Sequence, residues 1–217
     1  MSEVHLQRGD LEILRFVHEL RVAHIDHLVA LTGRSNKALS RRLLLLQRAR
    51  YLACLTKRPN RHLYAVGTEG GAALVEAGIM APEIAARRAR EKELKPLFLK
   101  HLVMVVDVHT KILAGTLGTP IELLAWREGP ALFDRVVVKK ERGGEVAYPI
   151  RPDAFFTVRD TRRPEGKNKL HFFLEADRST MSHARMEEKI RGYFNYFQQG
   201  LHAKKYAGVN VFSVLTV

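Results

Sequence analysis

A helix–turn–helix spacing followed by a hairpin constrains the first 66 residues more than any other feature of the sequence. Apolar side chains recur at helical spacing over residues 11–20, and we expect Asp10 to be the N-cap of this helix. A second short helix ends at Gly33, and Ser35 is suited to cap a third. Two helices joined by the tight turn over residues 32–34 are typical of a helix–turn–helix, whose second helix reads the DNA major groove.

The helix after Ser35 is therefore predicted to be the recognition helix. Three leucines are spaced to face inward, at Leu39, Leu43 and Leu46. Three basic side chains are spaced to project outward, at Lys37, Arg41 and Arg48. The DNA contacts predicted here are those of Arg34, Ser35, Asn36, Lys37, Ser40, Arg41 and Arg42.

A hairpin pattern follows directly, with strands over residues 51–56 and 62–66. A hairpin in this position is predicted to be the wing of a winged helix. Three basic side chains at its tip suit phosphate or minor-groove contacts, namely Lys57, Arg58 and Arg61.

The distribution of charge supports a polyanionic partner. Residues 33–62 contain nine basic side chains and no acidic one, in a chain whose formal net charge is +13. A stretch without acids repels itself unless a polyanion is near, and nucleic acid is the commonest one. The other interpretation is a small helical bundle with a solvated basic face; the turn spacing and the basic hairpin tip favour the winged helix.

Composition also excludes several classes of protein. The single cysteine, Cys54, rules out an intramolecular disulfide and a cysteine-based zinc site. His5, His18, His24, His27 and His62 form no ligand cluster with cysteines or carboxylates, so we expect surface or capping histidines. No apolar run is long enough for a membrane span and no signal peptide begins the chain, so we expect a cytoplasmic protein, associated with nucleoid or plasmid, and no membrane partner.

The predicted fold class is α+β, with an N-terminal winged helix–turn–helix followed by an α/β restriction-endonuclease-like domain. We assign residues 1–80 to the winged helix, 81–95 to a linker helix and 96–217 to the second domain. In that domain the pattern predicts a helix from residue 96, strands over 121–126, 135–139, 153–158 and 170–176, a helix over 181–199 and a strand over 209–217. Because the sequence stops within a strand pattern, we expect a longer protein beyond Val217.

Carboxylates stand at the ends of two of these strands. Asp153 opens one strand, and Glu175 and Asp177 close the next and share a face. If the strands are neighbours, the three carboxylates converge into a site for Mg²⁺ or Mn²⁺, whose preferred ligands are oxygens. Such a metal would activate water for phosphodiester hydrolysis.

This arrangement resembles the PD-(D/E)xK nucleases, in the residues Pro152-Asp153 and Glu175-Ala176-Asp177. The resemblance implies a catalytic set of Asp153, Glu175 and a lysine, but Asp177 stands where that family has the lysine. Lys189 would replace it if its side chain points back at the sheet; Arg178 and Lys169 are weaker substitutes.

A closer resemblance covers nearly the whole chain and is to the plasmid replication-relaxation family, which pairs a winged helix with a nuclease-like domain. The matching segments are residues 10–14, 43–52, 99–102, 151–154 and 173–178, followed by Lys189 and Tyr193. The resemblance implies a role in replication, transfer or copy control of a mobile element.

Other readings of the second domain stay open. Glu175 and Asp177 can instead pair in a buried ionic network with Arg151, Arg178, Lys189 or Arg191. Among the aromatic residues of the long helix, Phe194 and Phe197 are expected to pack on the sheet; stacking of Tyr193 or Tyr196 on a single-stranded base is the less favoured alternative.

Three functions follow as hypotheses. The first is a sequence-specific double-stranded DNA-binding protein of a plasmid or integrative element, acting in replication, transfer or transcription control. It would be a homodimer with an inactive nuclease-like domain, no cofactor and a possible replication or conjugation protein as partner. The second is a metal-dependent endonuclease or nickase using Asp153, Glu175, Asp177 and Lys189. The third is a protein-interaction adaptor; the sequence favours a binding protein over an enzyme.

Overall fold

Helices and strands both contribute to this α+β chain, whose computed structural model describes residues 5–56, 62–89, 96–140, 143–177 and 182–217. The chain divides into two compact units, Met1–Gly115 and Thr116–Val217. The sequence pattern puts the start of the second domain at residue 96. In the structure, however, the helix that begins there contributes Leu102 and Val106 to the core of the first unit. The division therefore falls after Gly115, because this helix buries its apolar side among elements that precede it.

The first unit contains the predicted helices and hairpin strands in the predicted order. Its described elements are α1 (Arg8–Leu20), β1 (Ala23–His24), α2 (Ile25–Thr32), α3 (Asn36–Arg48), β2 (Leu52–Cys54), β3 (Leu63–Val66), α4 (Thr68–Glu76), α5 (Pro82–Ala89) and α6 (Pro96–Thr116). The strands form an antiparallel sheet in the order β1-β3-β2. The two-residue strand β1 was not predicted, because two residues carry no periodic signal.

Local capping explains where α1, α2 and α3 begin and end. Gln7, not Asp10, is the N-cap of α1, which starts at Arg8. Asp10 lies in the first turn, where its carboxylate accepts the Gln7 N–H at 2.7 Å. Gly33 ends α2 in the left-handed conformation (φ 67°), and the Ser35 hydroxyl accepts the Ala38 N–H at 3.3 Å to cap α3.

The burial of His109 in α6 is expected to make the first unit sensitive to acid. Its side chain lies in α6 and is 4% exposed, and burial lowers its pKa from 6.5 to about 4. The unfolded chain therefore takes up this proton first as the pH falls. Stability contributed by the neutral imidazole is complete above the ordinary pKa and is lost between pH 6.5 and about 4.

We expect the His109→Leu variant to be less acid-sensitive than the wild-type protein. Its free energy of unfolding should lose about 3 kcal/mol less between neutral pH and about pH 4, because a leucine takes up no proton. Urea denaturation followed by circular dichroism at several pH values measures this difference. If the free energies of unfolding of the two proteins fall equally with pH, the lowered pKa of His109 is not the cause of the acid sensitivity.

The second unit is built on a four-stranded sheet. Its described elements are β4 (Ile121–Glu128), β5 (Asp134–Lys139), β6 (Glu145–Ile150), β7 (Ala154–Asp160), β8 (Lys169–Glu175), α7 (His183–Gln198), α8 (Leu201–Lys205) and β9 (Ser213–Thr216). The sheet has the order β4-β7-β8-β9, in which β4, β7 and β8 are antiparallel and β9 runs parallel to β8. β5 and β6 form a separate hairpin. β6 was not predicted, and β9 is shorter than predicted.

The face of α7 that packs on the sheet is rotated by one residue, about 100°, from the one expected. Tyr193 and Tyr196 are buried among Phe155 and Phe173, whereas Phe194 and Phe197 are 60% and 41% exposed. Each tyrosine can be buried because its hydroxyl has a hydrogen-bond acceptor. Tyr193 donates to Glu175 at 2.5 Å, and Tyr196 donates to Asp134 at 2.8 Å. The expectation that the two phenylalanines pack on the sheet is therefore wrong.

Candidate functional site

The solvent-facing side of α3 is the basic surface of the first unit. Leu39, Leu43 and Leu46 are 0–1% exposed and fix the helix on the core. Lys37 and Arg41 point away from them and are exposed. This arrangement agrees with the predicted helical spacing and leaves the two cations available to an external anion.

The polar residues at the start of α3 are also exposed. Ser35, Asn36 and Ser40 lie at the surface, and the Ser40 hydroxyl donates to the Asn36 side-chain oxygen at 3.1 Å. That bond uses the side-chain oxygen of Asn36 and not its amide N–H groups, which are donors. Side chains of this kind can form hydrogen bonds to base edges or phosphates.

Arg34 and Arg42, which were predicted to contact DNA, are held by acidic residues of α1. Arg34 lies 3.8 Å from Glu12, and both side chains are partly exposed. Arg42 binds Asp10 through two nitrogens, its Nε donating at 2.6 Å, and the Asp10 side chain is only 2% exposed. This bond raises the pKa of Arg42. Arg42 is thus an anchor between α3 and α1.

The basic residues predicted for the tip of the hairpin are not among those that the structure describes. Lys57, Arg58 and Arg61 lie outside the described residues, although the strands that lead to them pair as predicted, with Leu52 opposite Val66. At the start of the second strand, the His62 carbonyl lies 2.9 Å from the His24 ring nitrogen Nδ1.

A groove of ≈ 850 Å³ beside α3 was not predicted. Asn36, Ser40 and His62 line it together with Asp107 and Lys111 of α6. Sequence reasoning missed α6 as a neighbour of α3, because its apolar pattern does not say on which core it packs.

His27 joins α2 to α6 at this groove. Its Nδ1 accepts the His24 N–H at 3.1 Å, and its Nε2 lies 2.7 Å from the Asp107 carboxylate. Burial lowers the pKa of His27, and the hydrogen bond to Asp107 opposes that shift. The expectation of a capping histidine is confirmed here, since His27 caps the backbone at the start of α2.

Glu175 is the centre of the polar cluster in the second unit. Its side chain is 3% exposed, its Oε2 accepts from Lys189 Nζ at 2.5 Å and its Oε1 accepts from the Tyr193 hydroxyl at 2.5 Å. Burial raises the pKa of Glu175, against the opposing effect of these two donors. Burial and the adjacent Glu175 charge also raise the pKa of Tyr193. Lys189 therefore points back at the sheet, as the sequence allowed.

Asp153 and Asp177 are placed differently around Glu175. Asp153 lies near enough for its charge to raise the pKa of Glu175, and its Oδ2 accepts the Ala176 N–H at 2.7 Å. Asp177 follows β8, and its backbone N–H donates to the Val217 carbonyl at 2.8 Å. Within the described ranges, no three histidine, cysteine or acidic side chains form a group that could hold a metal ion.

The other proposed partners of these carboxylates lie elsewhere. Arg191 pairs with Glu187 at 2.6 Å, and the Arg151 guanidinium lies 5.8 Å from the centre of the Phe133 ring. Lys169 begins β8, whereas Glu175 ends it. Arg178 lies outside the described residues. Among the described residues, the ionic network anticipated for Glu175 is formed by Lys189, with Tyr193 as an additional donor that the sequence did not indicate.

The fold and these contacts define a mixed α+β protein that has a basic helix surface in one unit and a buried carboxylate–lysine cluster in the other. The profile of the replication-relaxation family matches residues 14–212, and the chain belongs to this family. Membership connects the chain with plasmid replication and relaxation. No curated protein and no solved structure matches it significantly. Among the described helices, none is long and apolar enough to cross a membrane.

Proposed function

We propose that this chain is a sequence-specific double-stranded DNA-binding protein of a plasmid or integrative mobile element, acting in replication, transfer or transcription control. The observation that carries this proposal is the outward projection of Lys37 and Arg41 from α3, opposite its buried leucines. In this proposal the first unit is a winged helix–turn–helix, α3 enters the major groove and the β2–β3 hairpin is the wing.

Charge supports DNA as the ligand. The stretch from α3 through the hairpin contains no acidic residue, so an acidic partner of its cations has to come from another part of the chain, as Asp10 does for Arg42. Lys37 and Arg41 would neutralise phosphates or read base edges, and Ser35, Asn36 and Ser40 would add hydrogen bonds. Binding dominated by such contacts weakens steeply with salt.

We expect the Arg41→Ala variant to bind its DNA site about tenfold more weakly than the wild-type protein, or worse. The site is first selected from a pool of random duplexes, and affinity is then measured by fluorescence anisotropy at several salt concentrations. If Arg41 contacts a phosphate, the slope of log affinity against log salt also falls by about one.

Lys167→Ala is the matched control, because it removes one exposed charge from a strand connection in the second unit. Its affinity should stay within about twofold of the wild type. If both variants lose the same DNA affinity, Arg41 contributes only its charge and α3 makes no specific contact with the site. A protein that binds no duplex even at low salt would overturn the proposal and favour the protein-interaction adaptor.

The second unit is, in this proposal, a nuclease-like domain without nuclease activity. Its order β4, β7, β8, α7, β9 supports the resemblance once the β5–β6 hairpin is left aside. A metal does not fit the carboxylates as they stand, because both oxygens of the buried Glu175 accept hydrogen bonds and Asp153 is engaged by the Ala176 amide. The Lys189–Glu175 contact is the one observation that favours the second candidate, an endonuclease or nickase.

Supercoiled plasmid distinguishes these two functions. With Mg²⁺ or Mn²⁺ we expect a mobility shift and no nicking on an agarose gel, and the same result with a chelator and with the Asp153→Ala variant. Metal-dependent nicking that Asp153→Ala abolishes would make the chain a nuclease and contradict the proposal.

The proposal also includes a homodimer and, as a further partner, a replication or conjugation protein. Two DNA-reading units related by a two-fold axis would bind a palindromic site. Its half-sites would be separated by about one helical turn or a multiple of it.

A further inference from the structure

The outer edge of the sheet in the second unit lacks the usual protection against strand pairing. β9 ends the strand order β4-β7-β8-β9, and no strand of the described chain pairs with its other side. Residues 210–217 contain neither a charged side chain nor a proline. Natural proteins usually block an edge strand with such residues. This edge is therefore suited to pair with another strand.

The backbone of β9 shows which groups are available. The Val217 N–H donates to the Glu175 carbonyl at 3.2 Å, and the Val217 carbonyl accepts from Asp177 at 2.8 Å. Since successive residues of a strand direct their N–H and C=O groups to opposite edges, Val217 and Leu215 face β8. Val214 and Thr216 then direct their backbone groups to the outer edge.

Apolar side chains extend this edge across α7. Ile190, Phe194 and Phe197 share one side of the helix and are 62%, 60% and 41% exposed. Val211 and Val214 are 65% and 38% exposed. Together they line a groove of ≈ 350 Å³ between α7 and β9. Exposed apolar side chains that line one groove are typical of an interaction site.

We propose that a second copy of this chain occupies this surface, with the two β9 strands paired antiparallel about a two-fold axis. An edge strand that pairs with itself in this way is self-complementary, as a two-fold interface requires. The same axis brings Phe194 of each copy towards the apolar groove of the other. β9 would then lie inside a continuous eight-stranded sheet.

Charge favours a second copy as the occupant. Two chains with a net charge of +13 repel each other, and the repulsion is smallest where the contact surface carries no net charge. The β9 edge has no charged side chain. Of the charges beside it on α7, Arg191 is paired with Glu187 and Lys189 is paired with Glu175. This inference concerns the second unit alone and does not depend on DNA binding by the first.

Sedimentation velocity of the full chain over a range of concentrations tests the interface. We expect a dimer for the wild-type protein and a dissociation constant at least about 100-fold higher for Phe194→Glu, because each copy would bury the new charge in an apolar groove. Leu117→Glu is the matched control. It puts the same charge on another exposed apolar residue, 60% exposed and outside the groove, and should remain dimeric.

Val214→Pro tests the strand pairing separately. It removes a backbone N–H that faces the outer edge and leaves the hydrogen bonds between β8 and β9 in place, so the fold should persist while the dimer weakens. Far-UV circular dichroism of each variant establishes that it is folded.

A wild-type monomer at about 100 μM would overturn the inference, since interfaces of standard size are stable well below that concentration. Dimers that persist in both Phe194→Glu and Val214→Pro would also overturn it. Binding of the Phe194→Glu monomer to a single DNA half-site should be unchanged, which separates failure of this inference from failure of the proposed DNA-binding function.

Discussion

Arg42→Ala is expected to destabilise the first unit by about 3–5 kcal/mol. The guanidinium is the charged partner of Asp10, whose side chain is 2% exposed. Without the guanidinium, the Asp10 carboxylate stays buried and keeps the Gln7 N–H as a hydrogen-bond donor, but it has lost its positively charged partner. Urea denaturation followed by far-UV circular dichroism measures the loss.

The adjacent Arg41 supplies a matched control for this prediction. Arg41→Ala makes the same chemical change one residue earlier, at an exposed position, and should alter the free energy of unfolding by at most about 0.5 kcal/mol. The two variants should thus differ in which property they lose. Arg41→Ala loses DNA affinity and keeps its stability, whereas Arg42→Ala loses stability. Equal stability of the two proteins would show that the Asp10–Arg42 pair is not needed for the fold.

A double variant tests whether the buried charge is the cause. Asp10→Leu with Arg42→Met removes both charges and retains apolar volume, so most of the lost stability should return. If the double variant is as unstable as Arg42→Ala, the loss comes from packing around the guanidinium and not from the unpaired carboxylate.

The contrast between Arg41 and Arg42 shows how far the sequence can predict this surface. Helical spacing correctly predicted that Leu39 and Leu43 are buried and that Arg41 is exposed, because a period of 3.6 residues determines which side chains share a face. It could not predict that Arg42, at the margin of that face, meets Asp10. That contact joins residues 32 positions apart and depends on how α1 and α3 pack.

In the second unit, too, a contact between distant segments could not be predicted from the sequence, and it concerns α7. The pattern of strands and helices follows from local signals and was largely predicted, whereas the contact of Lys189 with Glu175 was one of several pairings that the sequence left open. The rotation of α7 about its own axis was not predicted, because tyrosine and phenylalanine differ little in apolar surface and both occur at helical spacing. Hydroxyl acceptors decide between them, and these acceptors, Glu175 and Asp134, lie on β8 and β5.

Lys189→Met is expected to destabilise the second unit by about 3–5 kcal/mol at pH values near 8, because it leaves the Glu175 carboxylate buried without its cation. Burial already raises the pKa of Glu175, and loss of the ammonium raises it further. The folded state then binds this proton more tightly than the unfolded chain. Stability of the variant should therefore recover as the pH falls, because the folded carboxyl takes up its proton before the unfolded one does.

The control for this prediction is Lys204→Met, at an exposed position of α8, which should show neither the loss nor the added pH dependence. Combining Lys189→Met with Glu175→Gln should restore stability near pH 8, since the neutral amide can still accept from Tyr193. A Lys189→Met protein whose stability follows the wild-type pH profile would contradict this account of the pair.

The effect of Mg²⁺ on stability separates a structural ion pair from a metal-binding role for Glu175. A ligand that binds only the folded state raises its melting temperature. With both Glu175 oxygens accepting hydrogen bonds, about 10 mM Mg²⁺ should leave the wild-type melting temperature unchanged. If Mg²⁺ raises the melting temperature of the wild type but not that of Asp153→Ala, the carboxylates bind metal. Lys189 would then be a displaced catalytic lysine and not only the partner of Glu175 in a structural ion pair.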